Sequence, residues 1–277
     1  MNQNIFAGTL LVSDIDGTLV PKSQIVPPQN LEAIAHYCAL GGKFAFATGR
    51  SYATSGRMRS WLTPNAPCIF INGVQIMDTR TQQVLMQKRL PAEAEDLLKG
   101  YFDRYPDAAA VVMAPGGQYV ARANAISEEH DQITDTASTQ VDWDGLPEEK
   151  LKIIFMAPEE TINAMVAWNA AHPSELVETC RSWPEYFEIL PKNGNKGQAL
   201  IALRDLLGIP AERSFAIGDF DNDEEMVRVA GIGAAPQNAT EKVRSLAKVV
   251  VCDCDDGAVA DFIAYLERKL TEEKTGI

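Results

Sequence analysis

Two aspartates set two residues apart at the end of an apolar run, with a glycine directly after them, constrain this chain more than any other feature. The run Thr9–Val12 has the composition of a strand buried on both faces of a parallel sheet, and Asp14, Asp16 and Gly17 follow it. Residues i and i+2 of an extended chain point to the same side, so the spacing predicts that both carboxylates face one small volume. Gly17 permits a sharp turn straight after them. Carboxylates held that close repel, so one must take a proton or the two must share a cation. A surface turn also reads Asp-x-Asp-Gly, and the motif alone leaves both readings open.

The same grammar recurs along the chain. Lys43–Ala47 is a second apolar run and delivers Thr48-Gly49-Arg50; Cys68–Ile71 delivers Asn72-Gly73; Ser214–Ile217 delivers Gly218-Asp219-Phe220-Asp221-Asn222-Asp223. Helical patterns fall at Leu31–Leu40, Arg57–Leu62, Gly197–Leu207, Glu224–Ala230, Ala239–Ala247 and Ala258–Leu270, and further short strands at Gly231–Ala234 and Val249–Val251. Alternating strands and helices imply βαβ units and a parallel sheet. From about Asp78 to Leu190 the pattern changes. Val84–Arg89, Ala109–Met113, Gln118–Arg122, Leu151–Met156, Glu175–Arg181 and Tyr186–Leu190 read as strands, with helices at Ala92–Arg104 and Glu159–Ala171. The turn Pro115-Gly116-Gly117 marks antiparallel pairing. Asn124–Lys150 has no clear period and reads as a loop with one short helix. The fold class expected is α/β: a Rossmann-like parallel-sheet core, residues 1–81 and 190–277, interrupted by an α+β module at 82–189. A length of 277 residues suits one domain plus a substantial insertion.

A net charge of −13 argues against nucleic acid and anionic lipid as partners. A small phosphorylated molecule stays compatible with it, because a metal and a few cations reverse the sign locally. The five cysteines form no CxxC pair and no zinc spacing with the three histidines, which points to a reducing, cytoplasmic setting. The first residues do not read as a signal peptide, and no apolar run approaches a membrane span. There is no GxxxxGK[ST] loop and no GxSxG elbow, and Gly231-Ile232-Gly233 reads as a turn. Oligomeric state is not legible.

Ligands of open parallel sheets bind beyond the carboxyl ends of the strands, and each suggestive cluster sits at such an end. Carboxylates gathered there call for a hard divalent cation, and Mg²⁺ fits an all-oxygen donor set. Thr48 offers a hydroxyl and Gly49 an amide for phosphate oxygens, and Lys196 a point positive charge. A metal, a hydroxyl, an amide and an ammonium are the equipment of phosphoryl transfer.

The ordered set Asp14-x-Asp16-Gly17-Thr18, Thr48-Gly49-Arg50, Lys196-Gly197 and Gly218-Asp219-x-x-Asn222-Asp223 resembles the four motifs of the haloacid dehalogenase superfamily. It is most similar to the Cof-type phosphatases, which carry a large α/β cap between the second and third motifs; Ile71-Asn72-Gly73 and Asp255-Asp256-Gly257 add to the likeness. The resemblance implies a Mg²⁺-dependent phosphatase of a small phosphorylated metabolite such as a sugar phosphate. Asp14 would attack phosphorus and form an aspartyl-phosphate, and Asp16 would serve as acid and then base. Thr48, Gly49, Lys196 and Asn222 would hold phosphate oxygens, with Arg50 and Asn72 nearer the substrate. Asp14, Asp16 (through its carbonyl), Asp219 and Asp223 would hold or support the metal. A phosphomutase on the same scaffold, or a regulatory protein without turnover, are the alternatives. The remaining charged and aromatic residues have plainer readings. His36, His130 and His172 read as surface or core residues, and the four tryptophans as packing. Arg122, Glu178, Arg181 and Glu188 read as solvated strand faces, and Asp221 as solvent-exposed.

Overall fold

The computed structural model describes residues 4–56, 61–134 and 136–275. Two sheets organise it. The first contains β1 (Leu10–Asp14), β2 (Lys43–Ala47), β3 (Cys68–Phe70), β4 (Gln75–Asp78) and β5 (Gln83–Gln87). The second is built from the next six strands: β6 (Ala109–Ala114), β7 (Gly117–Arg122), β8 (Thr139–Gln140), β9 (Lys152–Met156), β10 (Val177–Trp183) and β11 (Tyr186–Pro191). The chain then returns to the first sheet with β12 (Ser214–Ile217), β13 (Ile232–Pro236) and β14 (Val249–Val251).

The first sheet runs β14-β13-β12-β1-β2-β3-β4-β5, which makes β1 a central strand and explains its complete burial. Its first six strands are parallel, and the last two add an antiparallel edge. The fold is α/β. Here the sequence reading needs correction. The sequence pattern offers no strand at Gln75–Asp78 and places Val84–Arg89 in the inserted module from residue 82 onward. Instead both form the edge hairpin of the first sheet, with Ile76 opposite Met86. Gln83–Leu85 of β5 are exposed and Met86–Gln87 half-buried, as befits the outermost strand of the sheet.

The second sheet runs β10-β11-β9-β6-β7-β8 and is antiparallel except for the short β7–β8 pair. Its two faces serve different neighbours. Ala110, Val112, Ile153, Phe155, Phe187 and Ile189 face Tyr101, Ile162 and Met165, and so pack under the helices Glu95–Arg104 and Glu159–Ala171. Val111, Met113, Ile154, Met156 and Leu190 join the core of the first sheet. The second sheet therefore lies against the first with an apolar face between them.

Most helices fall close to their expected bounds. The first starts at Pro28 rather than Leu31, because proline, which lacks an N–H, suits an opening turn whose N–H groups have no acceptor within the helix. The opaque stretch after Asn124 forms one helix, Ala125–Thr134, with the two-residue strand β8 beyond it. The helix expected at Arg57–Leu62 falls largely outside the described residues. No helix among those described is long and apolar enough to cross a membrane.

Candidate active site

Strand β1 ends at Asp14, and its carboxylate meets two others that arrive from the far end of the sequence. Oxygens of Asp14, Asp219 and Asp223 lie within 4.8 Å of one another, and all three residues are buried. Asp219 and Asp223 come from the turn after β12, the parallel neighbour of β1. Asp223 is anchored there by accepting the Asp219 and Phe220 amides on Oδ2. Thr18 donates its hydroxyl to Asp219 Oδ1 at 2.6 Å. Gly17 is obligatory between them: its φ is +91°, and a Cβ there would run into the Asp219 carboxylate.

One ammonium serves this cluster. Lys196 opens the helix Lys196–Leu206, whose start Asn195 caps by accepting the Gln198 amide. Its Nζ lies 2.5 Å from Asp14 Oδ1 and 2.7 Å from Asp223 Oδ1. Burial works to lower the Lys196 pKa, but the charges of Asp14 and Asp223 outweigh it and hold the ammonium charged. Three carboxylates against one ammonium leave an excess of buried negative charge. Asp14 is accordingly pushed well above the usual carboxylate range, by burial first and then by Asp223. Asp219 is pushed up to about 7, again by burial first and then Asp223. Oxygen-only donors, close spacing and uncompensated charge fit a hard divalent cation.

Asp16 does not join the cluster with its carboxylate. The strand ends at Asp14, so the alternation that predicted a shared side stops before Asp16, whose backbone turns back to bridge Val20. The Asp16 carboxylate instead receives Arg50 Nη2 at 2.7 Å and Nε at 3.1 Å. The carboxylates crowding Asp14 are thus Asp219 and Asp223. The Arg50 side chain is largely buried and the Asp16 side chain half-buried.

Thr48 and Gly49 follow β2 at the same end of the sheet. Thr48 is buried, its carbonyl accepts the Asn72 amide, and its hydroxyl accepts the Arg50 amide. Asn72, after β3, accepts Asn222 Nδ2 on Oδ1 at 3.0 Å. A cavity of about 220 Å³ opens beside this pair, lined also by Cys180, Asn195 and Asp221. Asp221 is half-buried there rather than fully solvent-exposed.

Residues of the second sheet also reach the site. Glu188, read from sequence as a solvated strand residue, is buried and accepts Asn72 Nδ2 at 2.6 Å. Lys152, which the sequence reading passed over, donates to the Gly49 carbonyl at 3.0 Å and pairs with Glu188. A lysine inside the apolar run Leu151–Met156 was the available signal, since such runs bury both faces. His130 is largely buried, its Nδ1 meets the Tyr186 hydroxyl, and burial pushes its pKa down to about 4. Arg122 lies over the Phe102 ring and donates to three carbonyls, and Arg181 ties Glu159 to Asn163; both brace the second sheet. Glu178 accepts Asn195 Nδ2. Cys252 and Cys254 form no metal cluster among the described residues.

The profile of the haloacid dehalogenase-like hydrolases matches residues 11–263. Among curated proteins, the HMP-PP phosphatase of Serratia proteamaculans is 29% identical over 92% of this chain and 94% of its own length. The 5-amino-6-(5-phospho-D-ribitylamino)uracil phosphatase YwtE of Bacillus subtilis is 28% identical over 91% and 96%. Among solved structures, a haloacid dehalogenase-like hydrolase from B. subtilis superposes with a TM-score of 0.82 at 22% identity, covering 93% of this chain and 99% of that one.

Proposed function

Because the chain belongs to the haloacid dehalogenase-like hydrolases, we propose that it is a Mg²⁺-dependent phosphatase of a small phosphorylated metabolite, acting through an aspartyl-phosphate at Asp14. The observation that carries this reading is the buried contact of Lys196 with both Asp14 and Asp223, with Asp219 alongside. The similar proteins named as phosphatases of small metabolites support the same class.

An Asp14 oxygen attacks phosphorus as the bond to the leaving oxygen breaks, and Asp16 gives that oxygen a proton. Water then attacks the aspartyl-phosphate, losing its proton to Asp16, and phosphate and free Asp14 are released. To reach the leaving oxygen Asp16 must rotate away from Arg50. Lys196, the Thr48 hydroxyl and the Gly49 amide hold the phosphoryl oxygens while charge builds on them. Asp14, Asp219 and the Asp16 carbonyl would hold Mg²⁺, with Asp223 supporting; when bound it neutralises the carboxylates and polarises the phosphoryl group. The second sheet, about residues 90–191, is the cap in this reading and selects the leaving group by covering the site.

The test is release of phosphate from p-nitrophenyl phosphate with and without Mg²⁺, followed by a panel of phosphorylated metabolites. The parent protein should turn over only with the metal. Asp14→Asn should retain its fold and lose about 10³-fold or more in kcat. An active Asp14→Asn protein would falsify the nucleophile assignment.

A further inference from the structure

The cap face turned toward the core is largely apolar, and Lys152 and Glu188 are the fully buried charges on it among the described residues. These residues are 1% and 2% exposed and lie 2.9 Å apart. Apolar side chains of similar volume would stabilise the fold as well as a buried ion pair, so stability does not account for this one. Their other contacts supply a different reason. Lys152 Nζ reaches across to the Gly49 carbonyl, and Glu188 Oε2 reaches across to Asn72 Nδ2. Ser182, on the neighbouring cap strand, donates to the second Glu188 oxygen and fixes the carboxylate in that orientation.

Asn72 is an unusual residue to hold. Ile71 and Asn72 have φ of 53° and 54°, a left-handed conformation that a β-branched residue rarely adopts. Backbone strain of this kind persists only where surrounding contacts over-determine it. Here the Arg50 and Thr48 carbonyls accept the two amides, Glu188 takes the Asn72 amide group, and Asn72 Oδ1 takes Asn222. A continuous line of hydrogen bonds therefore runs from the cap through Asn72 to Asn222.

We propose that Glu188 and Lys152 are positioning residues, a clamp through which seating of the cap sets the phosphate-binding residues Gly49 and Asn222. With the cap lifted, Asn72 loses its carboxylate partner and the strained turn at 71–72 relaxes, so the site is complete only when covered. The clamp rests on the phosphatase reading for the roles of Gly49 and Asn222.

Lys152→Met, Glu188→Gln and the double variant test it in the full-length protein. The readouts are kcat and KM on p-nitrophenyl phosphate with Mg²⁺, Tm, and amide hydrogen exchange across residues 68–75. Each single variant should lose about 10- to 100-fold in kcat, as a misplaced site does, and exchange across 68–75 should rise. The double variant leaves no orphaned charge and should be no slower than the worse single. Lys152→Arg, which keeps the charge and the donor, should recover most of the activity. Lower Tm with kcat of the folded protein within about twofold of the parent would mark a merely structural pair and overturn the clamp. Unchanged exchange, or losses that multiply in the double variant, would overturn it too. A parent protein without turnover whose variants still show faster exchange would remove the phosphatase reading and leave the clamp standing.

Discussion

At Asp219 a single carboxyl carries much of the site's electrostatic tension. Its pKa rises from the ordinary 3.8 to about 7, through burial and then Asp223. A folded carboxyl with a raised pKa binds its proton more tightly than the unfolded one does. Its contribution to stability is therefore full below about pH 4 and is lost as the pH climbs through about 7. His130, pushed down to about 4, works in the opposite sense but is common to parent and Asp219→Asn, so the difference between them reports the acidic cluster and not the imidazole. Without divalent metal, Asp219→Asn should gain in Tm on the parent as the pH rises over that range. With Mg²⁺ the order should reverse at neutral pH, because the parent gains about 2.7 kcal/mol at a hundredfold excess over Kd and the variant loses a ligand. Thermal melts with Mg²⁺ and with EDTA decide both. Lys196→Met should cost about 3–5 kcal/mol in urea unfolding, since it strands Asp14 and Asp223 as buried charges.

At the scale of elements, the site is a set of strand ends and helix starts. β1, β2, β3 and β12 each finish at the same edge, and each hands over to a turn carrying polar side chains. Those units were legible because buried parallel strands read as continuous apolar runs that stop abruptly. The edge gave no such signal: β5 lies outermost with its first three residues exposed, and nothing in its local pattern says which of the two sheets it pairs with. The join between β3 and the helix at Lys196 depends on Gly73, whose φ is +101° and whose missing Cβ leaves room for the Asn195 carbonyl. Gly73→Ala should destabilise by about 1–3 kcal/mol and depress kcat as well, because Asn195 caps the helix that presents Lys196. Urea unfolding beside steady-state kinetics separates the two effects.

Over the whole molecule, the first sheet carries the candidate site and the second lies against it. Strand β10 of the second sheet ends at Trp183, whose ring sits 6.3 Å from Phe220 in the acidic turn after β12. Trp183 is still 37% exposed, so it is an edge contact between the sheets and not a core residue. If the cap must seat for turnover, Trp183→Ala should raise KM by roughly 2- to 10-fold, the worth of one aromatic pair, with little change in Tm. Equal KM for parent and variant would mean that this contact plays no part in seating.

Local chemistry in the sequence determined the strand-and-helix order and the segments rich in carboxylate, hydroxyl and ammonium groups. Chain periodicity and turn residues act over a few neighbours, and a reader of the sequence sees those directly. Only the tertiary structure decided which of these groups meet. It carried Asp219 and Asp223 to Asp14, turned Asp16 toward Arg50, and buried Lys152 and Glu188 against Gly49 and Asn72. Such pairings depend on where a strand stops and which sheet face is covered, and neither is written in the spacing of residues along one segment.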